Sequence, residues 1–518
     1  MLPSYLRLQL EQVIFLTFLA AIFLLHTSLG FDYYWHLKTG EVIYQTGGLP
    51  TGDIFSFTAN GKWWVLHEWL FEVVLYFVHA HTGVYGVKLF SALIMTLSVY
   101  VVYRAARRLN ADDAVLLFVV AIVFLIIQRF NFPRPQLITF LFLALYLYAL
   151  VGYRYHNIKT GLYWLPPIML VWVNMHGGYV IGIALLVLYV TSDLFDRMLS
   201  INKRGEETPL RPVLYVLLLS ICVSLVNPYT YHHWVYPFQV MSLSLTDVIT
   251  EWKSPDFHLL LSKLYLLYMF SFLFLCIYSE GRPRLVEVVV PLFFIAMSFI
   301  SRRHMPVALL VTLPFYALAL KRFSMQLRRT DWGEKVFSLK IAGQYVMNGS
   351  VELGVKGYLF NWFLLVVVIV GTYHLHQTEV HRIASYESDA QPVDAVDFIK
   401  KAGIQGNVLN AYNNGGYLIY SLYPDSKVFI DGRADLYGDQ LFSEYQIIKT
   451  GAEGWEEVIE KYEIDYVIFD TKTTLVGSLD RSNEFKLIYR DRRFSVYLRD
   501  NEKFRTIIDY YQSIYVGG

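Results

Sequence analysis

The chain has 518 residues, of which 55% are hydrophobic and only 17% are charged, and its formal net charge is +1. This composition indicates an integral membrane protein and gives no reason to expect a nucleic-acid partner. The only two cysteines, Cys222 and Cys276, lie in apolar stretches, which excludes a disulfide framework and a cysteine-based metal site.

Apolar runs close to the length of a membrane span predict a polytopic α-helical protein with about eleven transmembrane helices. The runs are 12–29, 86–103, 113–128, 135–152, 162–175, 178–193, 211–226, 259–278, 284–300, 304–320 and 356–373. The number of spans around 162–193 is open, because these two runs are short and a re-entrant pair is the alternative.

Basic residues predict the orientation of these spans. With a cytoplasmic N-terminus, the inner loops are richer in arginine and lysine than the outer loops, in agreement with the positive-inside rule. The basic residues lie around 104–108, 154–159, 197–211, 282–284 and 321–340. An odd number of spans then makes 1–378 a transmembrane domain with a long first outer loop, 30–85, and places 379–518 outside the cytoplasm.

The C-terminal segment changes to short alternating elements and predicts a soluble α/β domain with a mainly parallel sheet. Strands are predicted at 407–409, 427–430, 466–469, 486–489 and 494–498, and helices at 393–401, 416–422, 440–449 and 454–462. Nucleotide binding is not supported, because the chain lacks a Gly-x-Gly-x-x-Gly fingerprint and a Walker A loop.

The first outer loop carries the polar residues with the strongest functional signal. Asp32 follows the first apolar run, where a carboxylate is costly unless it meets a cavity, an ion or a partner. We expect Asp32, His67 and Glu68 to be catalytic and His36 to contact sugar or acceptor. The tryptophans of this loop, Trp63 and Trp64, are equally compatible with a role as interfacial anchors.

Arginines in two further outer segments are candidate ligands of a donor phosphate. Arg129 and Arg134 stand beside rigid prolines, and Arg302 and Arg303 lie at a predicted helix end. A guanidinium matches two phosphate oxygens and stays charged. The alternative is contact with lipid headgroups.

Other outer residues are candidates for sugar or acceptor binding. Glu251 and Trp252 offer an acid beside an aromatic plane, and Asn174 and His176 precede a pair of glycines. Ordinary loop packing and a structural histidine are the alternatives. In the soluble domain the candidates are Asn414, Asp431, Arg433 and Asp435, which we expect at the ligand-binding edge of the sheet. A turn held by an Asp–Arg pair is the alternative for Asp431 and Arg433.

Together these groups predict an outer-face pocket for an amphiphile with an anionic head, and a lipid-linked phosphosugar has the required parts. Sugar transfer from such a donor needs a base, a role open to Asp32 or Glu68, and a cation for the departing phosphate. The soluble domain is expected to cover this site and to help select the acceptor.

The arrangement resembles the GT-C superfamily of glycosyltransferases that use polyprenyl-phosphate sugars, such as protein mannosyltransferases, aminoarabinose transferases and oligosaccharyltransferases. The resemblance rests on Asp32 after the first span, on His67-Glu68 in an amphipathic outer loop, and on the C-terminal soluble domain. Asp32 is followed by Tyr33 instead of the second acid of several branches, and a Trp-Trp-Asp signature is missing, so no branch is selected. Short segments such as Asp431-Gly432-Arg433-Ala434-Asp435 look like those of prokaryotic proteins of this type.

The resemblance implies a prokaryotic cytoplasmic (inner) membrane, a lipid-linked sugar donor, and Asp32 as catalytic base or metal-associated carboxylate. A divalent cation such as Mg²⁺ or Mn²⁺ is compatible with the sequence but not required by it. The acceptor is protein, lipid or glycan. The alternatives are a transporter or flippase of a lipid-linked glycan, whose polar residues would lie near the midplane and on both faces, and a non-catalytic assembly protein.

Overall fold

The computed structural model of the chain describes residues 10–25, 29–109, 113–199, 208–242, 249–279, 283–327, 358–371 and 390–516, together with a few isolated residues between these ranges. The basic segment 321–340 and the predicted boundary at 378/379 lie partly or wholly outside the described residues. The boundary stays a prediction.

The chain folds into two compact units, each of which is assembled from separate segments of the sequence. The first unit comprises Met1–Thr27, Val84–His233 and Asp247–Thr378, and the second comprises Ser28–Gly83, Trp234–Thr246 and Glu379–Gly518. The first outer loop therefore belongs to the same compact unit as the C-terminal domain.

The first unit is a bundle of apolar helices. Its described helices are α1 (Leu10–Leu25), the second part of α3 (Trp69–Arg108), α4 (Asp113–Ile127), α5 (Gln136–His156), α6 (Leu165–Met175), α7 (Tyr179–Met198), α8 (Arg211–Val223), α10 (Leu260–Tyr278), α11 (Leu285–Ile300), α12 (Met305–Leu327) and α13 (Tyr358–Gly371). Helix α12 packs against α4, α5, α10 and α11 and is buried along most of its length, as expected for a helix that is hydrophobic all round.

Among the described residues, five helices are long and apolar enough to cross a membrane: Trp69–Arg108, Gln136–His156, Tyr179–Met198, Leu260–Tyr278 and Arg302–Leu327. Shorter apolar helices lie at the other six predicted runs. Eleven crossings therefore remain a prediction.

The second unit contains α2 (Tyr33–Thr46), the first part of α3, most of α9 (His232–Met241) and an α/β domain. The domain comprises α14 (Val393–Lys401), β1 (Gly406–Asn410), α15 (Gly415–Leu422), β2 (Ser426–Val428), α16 (Ala434–Thr450), α17 (Trp455–Lys461), β3 (Tyr466–Asp470), α18 (Thr474–Leu479), β4 (Phe485–Arg490), β5 (Phe494–Arg499) and α19 (Arg505–Val516). The five predicted strands and four predicted helices all match observed elements, although α16 begins six residues before its predicted start.

The sheet has the order β2-β1-β3-β5-β4. Strands β1, β2 and β3 are parallel, whereas β5 pairs antiparallel with both β3 and β4. Strand β4 therefore runs in the same direction as β1, β2 and β3, and the prediction of a mainly parallel sheet is right for four of the five described strands and wrong for β5. The reason is the three-residue turn between β4 and β5, in which Asp491 accepts hydrogen bonds from the backbone of Arg493 and Phe494, both at 2.7 Å.

The first outer loop extends this sheet beyond β2. Ser56 forms a parallel bridge with Val428, whose N–H donates to Phe55 O at 3.1 Å and whose carbonyl accepts from Phe57 N at 3.2 Å. Thr58 adds a hydrogen bond from its hydroxyl to Phe429 O at 2.6 Å. Because these bonds occupy an otherwise unpaired strand edge, the loop is built into the domain.

Candidate functional site

Asp32 lies at the start of α2, where it is the N-cap residue and is half-buried. The carbonyl of Asp32 accepts a hydrogen bond from His36 N at 3.2 Å, so His36 stands one helical turn further on. Asp32 and His36 therefore begin the same helix, and the side chain of His36 is buried.

His36 meets two carboxylates from the start of α3. Its Nδ1 lies 3.0 Å from Glu72 Oε1 and 3.8 Å from Glu68 Oε2. One ligand atom from each of these residues lies within 4.8 Å of the others. Glu68 and Glu72 are one turn apart, and the backbone N of Glu72 donates to Glu68 O at 3.1 Å, which brings both carboxylates to one face.

The chemistry of this cluster fits a divalent cation. Glu72 is fully buried, and within the described part of the chain its Oε2 has no hydrogen-bond partner. A buried carboxylate oxygen is costly unless a proton, a donor or a cation meets it. Imidazole and carboxylate are ligands that Zn²⁺ and Mn²⁺ both accept. His36, Glu68 and Glu72 are thus the residues that would hold a metal ion in this unit.

His67 adjoins the cluster from the other side of Glu68. Its Nε2 lies 3.3 Å from Glu68 Oε1, and its ring lies 4.5 Å from that of Tyr236 in α9. Burial alone lowers the pKa of His67, but the charges of Glu68 and Asp435 outweigh it, and the pKa is raised above 6.5. The imidazolium form of His67 is therefore favoured beside Glu68.

Arg433 is buried between two carboxylates, one from the soluble domain and one from the first outer loop. Its Nη2 lies 2.6 Å from Asp431 Oδ2 and its Nη1 lies 2.6 Å from Asp53 Oδ1, and its guanidinium stacks 4.6 Å from the ring centre of Trp64. Tyr437 donates a further hydrogen bond to Asp431. Burial opposes the charge, yet the two aspartates raise the pKa of Arg433 well above its ordinary value.

The four candidate residues of the soluble domain form hydrogen bonds or ion pairs with other protein groups. Asp431 and Arg433 are 0% and 2% exposed, and the Asp–Arg turn that was the alternative for them is present. Asn414 donates to Ala390 O at 2.9 Å, and Asp435 accepts from Tyr236 at 2.6 Å. The four side chains bind other parts of the protein.

The second set of predicted residues lies in the first unit, near α5 and α11. Arg134 Nη1 contacts both oxygens of Glu251, at 2.9 and 3.1 Å, and Arg303 stacks on Trp252 at 4.3 Å. The backbone of Arg302 donates to Lys253 O at 2.9 Å, and Ser301 Oγ donates to Glu251 O at 3.1 Å.

Glu251 is held as a carboxylate by this surrounding charge. Burial raises its pKa, but Arg134, Arg303 and Arg302 outweigh burial, and the pKa is lowered. The predicted sugar ligands Glu251 and Trp252 thus lie together with three predicted phosphate ligands, Arg134, Arg302 and Arg303. Arg129, in the short 3₁₀ turn after α4, is exposed.

Asn174 and His176 form hydrogen bonds within the first unit. Asn174 donates to Leu170 O at 2.9 Å and Val226 O at 3.0 Å. His176 Nδ1 lies 2.6 Å from Thr139 Oγ1 and accepts from Gly178 N at 3.1 Å. These bonds satisfy much of the polar capacity of both side chains, and their role in sugar binding remains a prediction.

The predicted site residues thus fall on both compact units. The second unit holds Asp32, His36, His67, Glu68, Asn414, Asp431, Arg433 and Asp435, and the first holds Arg129, Arg134, Asn174, His176, Glu251, Trp252, Arg302 and Arg303. A single pocket formed by all of them stays a prediction. Sequence reasoning missed Glu72 and Asp53 as members of the clusters; the four-residue spacing from Glu68 was the available signal for Glu72.

Neither a protein-family model nor a curated protein matches this sequence. Solved structures do. The oligosaccharyltransferase AglB from Archaeoglobus fulgidus, in complex with an inhibitory peptide and a dolichol-phosphate, is similar with a TM-score of 0.58 and 12% identity over 95% of this chain and 74% of that chain.

ArnT from Cupriavidus metallidurans bound to undecaprenyl phosphate is similar with a TM-score of 0.50 and 15% identity, over 94% of this chain and 97% of that chain. Its apo structure is similar with a TM-score of 0.52 and 14% identity, over 92% of this chain and 95% of that chain. At these identities the likeness shows the fold. The chain therefore has the fold of AglB and ArnT, and this fold together with its apolar helices makes it an integral membrane protein.

Proposed function

We propose that the chain is a membrane glycosyltransferase that moves a sugar from a polyprenyl-phosphate-linked donor to an acceptor on the extracytoplasmic face. The observation that carries the proposal is Asp32 at the start of α2 together with the cluster of His36, Glu68 and Glu72, in a chain with a GT-C-like fold. AglB and ArnT, which share that fold, are described with a dolichol-phosphate and with undecaprenyl phosphate, respectively.

Asp32 is the proposed catalytic base. Asp32 is half-buried and stands one helical turn before His36, whose imidazole contacts Glu68 and Glu72. As the base, Asp32 would accept a proton from the acceptor hydroxyl or amide while the bond between sugar and phosphate breaks. Glu68 is the second candidate, but its contacts with His36 and His67 favour a supporting role.

A cation bound by His36, Glu68 and Glu72 would supply positive charge for the phosphate oxygens. In the cluster itself, the imidazole of His36 orients the buried carboxylate of Glu72 at 3.0 Å. His67 restricts the side-chain conformation of Glu68, because its Nε2 lies 3.3 Å from Glu68 Oε1.

The proposed phosphate ligands are Arg134, Arg302 and Arg303, with Arg129 as an exposed first contact. Glu251 holds Arg134 in place, and the Trp252 ring holds Arg303, so their guanidiniums are preorganised. Glu251 and Trp252 are the proposed sugar-facing pair. The proposed topology has eleven spans, a cytoplasmic N-terminus and an extracytoplasmic soluble domain. It agrees with the positive-inside pattern of the loops.

The test is transfer from defined donors by the purified full-length protein. Polyprenyl-phosphate sugars are supplied, and loss of sugar is followed by mass spectrometry for wild type, Asp32→Asn and Glu460→Gln, which changes an exposed carboxylate in α17. We expect Asp32→Asn to lose at least a hundredfold in turnover and Glu460→Gln to stay within twofold. Undiminished turnover in folded Asp32→Asn removes Asp32 as the base.

The transporter alternative predicts a different outcome from the same preparation. A carrier would move a fluorescent lipid-linked glycan across vesicle bilayers without cleaving it. Flipping without transfer from any donor would therefore replace the proposed function with transport.

A further inference from the structure

The segment that carries Asp32 lies against two glycines of the soluble domain. Gly416 belongs to the motif Asn413-Asn414-Gly415-Gly416, and Gly432 belongs to the motif Asp431-Gly432-Arg433-Ala434-Asp435. All of these residues are in the second compact unit. The soluble domain therefore reaches the proposed base directly.

At Gly432 the approach is so close that no side chain fits. A Cβ built on Gly432 would overlap Oδ1 of Asp32, and it would lie 3.1 Å from both Asp32 Cγ and Trp35 Nε1. The backbone at Gly432 has no positive φ, so its conformation alone would permit other residues. What requires glycine there is the carboxylate of Asp32.

Gly416 makes a similar contact with the backbone before Asp32. A Cβ on Gly416 would lie 2.7 Å from the carbonyl oxygen of Phe31 and 3.3 Å from Trp35 Cδ1. Phe31 and Trp35 thus contact Gly416 at the start of α15, and Asp32 and Trp35 contact Gly432 just before α16. Tyr412 fixes the second of these contacts by donating to Gly432 O at 3.2 Å.

We infer that Gly432 is a positioning residue for Asp32, so that the soluble domain is part of the catalytic centre in addition to any part it takes in acceptor selection. The Gly432 backbone lies directly against the carboxylate of Asp32, and the backbone of Asp32 is the N-cap of α2. This inference rests on the proposed function only for the catalytic role of Asp32; the contact itself does not depend on it.

The first test is a thermal-unfolding cycle on the full-length protein. Gly432→Ala is introduced into wild type, Asp32→Asn and Asp32→Ala. Asparagine keeps the bulk of the aspartate, whereas alanine vacates the space that the new Cβ needs. We expect Gly432→Ala to lower Tm by about 5 °C in the first two backgrounds and by less than half of that in Asp32→Ala.

An equal Tm loss in all three backgrounds, or none in any, overturns the inference. If Gly432→Ala alone does not fold, recovery of folded protein in the Asp32→Ala background supports it and failure of the double variant overturns it. Gly477→Ala in α18 is the matched control, because a Cβ there meets nothing within 4 Å.

The second test separates positioning from general stability by kinetics. We expect folded Gly432→Ala to lose at least tenfold in kcat with the donor KM within twofold, and Gly477→Ala to match wild type in both. An unchanged kcat overturns the positioning role. Absence of transfer by wild type with every donor would refute the proposed function instead, and the Tm cycle would still decide the contact.

Discussion

His67 is the residue whose charge should respond to pH in the neutral range. Its pKa is raised above 6.5, since Glu68 and Asp435 outweigh the opposing effect of burial. A folded-state pKa above the unfolded value means that protonated His67 stabilises the protein in full below about pH 6.5, and that this stability is lost as pH rises through the raised pKa.

We therefore expect the Tm of wild type to fall relative to that of His67→Gln as pH increases from 5.5 to 8.5. The exposed His258 offers the control, and His258→Gln should follow wild type across the range. Parallel curves for wild type and His67→Gln would contradict the assignment of this charge to His67.

Glu72 is the residue on which cation binding should depend most. Its Oε2 is buried and, among the described residues, unsatisfied, so an amide in its place removes a ligand oxygen and the ability to ionise on a bound cation. We expect isothermal titration of the chelator-treated protein with Mn²⁺ or Zn²⁺ to show one site per chain in wild type and at least tenfold weaker binding in Glu72→Gln. Glu460→Gln should bind as wild type does, and a wild type that binds neither ion would refute the site.

At the scale of elements, the buried guanidinium of Arg433 joins the first outer loop to the start of α16. Removing it leaves Asp53 and Asp431 as two buried carboxylates without their shared cation, which typically costs about 3–5 kcal/mol. We expect Arg433→Leu to lose about that much free energy of unfolding, measured by denaturant titration. The exposed Arg481→Leu should lose little, and equal stability of the two variants would mean that the cluster does not hold the loop.

The strand-like segment 55–57 makes a second connection, through backbone hydrogen bonds. Phe57→Pro removes the N–H that donates to Val428 O, while Phe57→Ala keeps it and removes only the ring that packs 5.9 Å from Phe429. We expect proline to cost about 1 kcal/mol more than alanine. Faster hydrogen exchange at residues 426–430 in Phe57→Pro alone would locate the loss, and identical exchange in both variants would contradict it.

At the scale of the whole molecule, these connections predict that the C-terminal domain stays bound after the chain is cut. A protease site introduced within 379–389 leaves the contacts of Asp53, Ser56 and Phe57 with the domain in place. We expect the two fragments to elute together from a sizing column, and to separate when Arg433→Leu and Phe57→Pro are combined. Separation of the fragments in the otherwise unchanged protein would contradict the prediction.

Local pattern was sufficient for much of the fold. Apolar runs predicted the helices of the first unit, and alternation predicted every strand, because burial of one face or of a whole helix leaves a periodic trace in the sequence. The direction of β5 was missed, since a short hairpin connection outweighed the helix-strand alternation that precedes it.

The site was predictable only in part for a related reason. Asp32 was proposed from its position at a span end, and His67 and Glu68 were proposed from the long outer loop. The contact of Asp32 with Gly432 and the pairing of Asp53 with Arg433, in contrast, join distant parts of the chain. Contacts separated by 380 residues, as in the second pair, leave no local pattern. The four-residue spacing puts Glu72 on the same helix face as Glu68, but nothing local in the sequence indicates that both meet His36.

The joining of the first outer loop to the C-terminal domain also sets an order of assembly. Asp53 is synthesised 380 residues before Arg433, an interval of roughly 20–75 s at ordinary translation rates. Throughout that time the loop lacks the strand edge and the guanidinium that complete it. The proposed catalytic loop is therefore among the earliest parts of the protein to be made and among the last to reach its native structure, so an incomplete chain would hold the base without the surface that positions it.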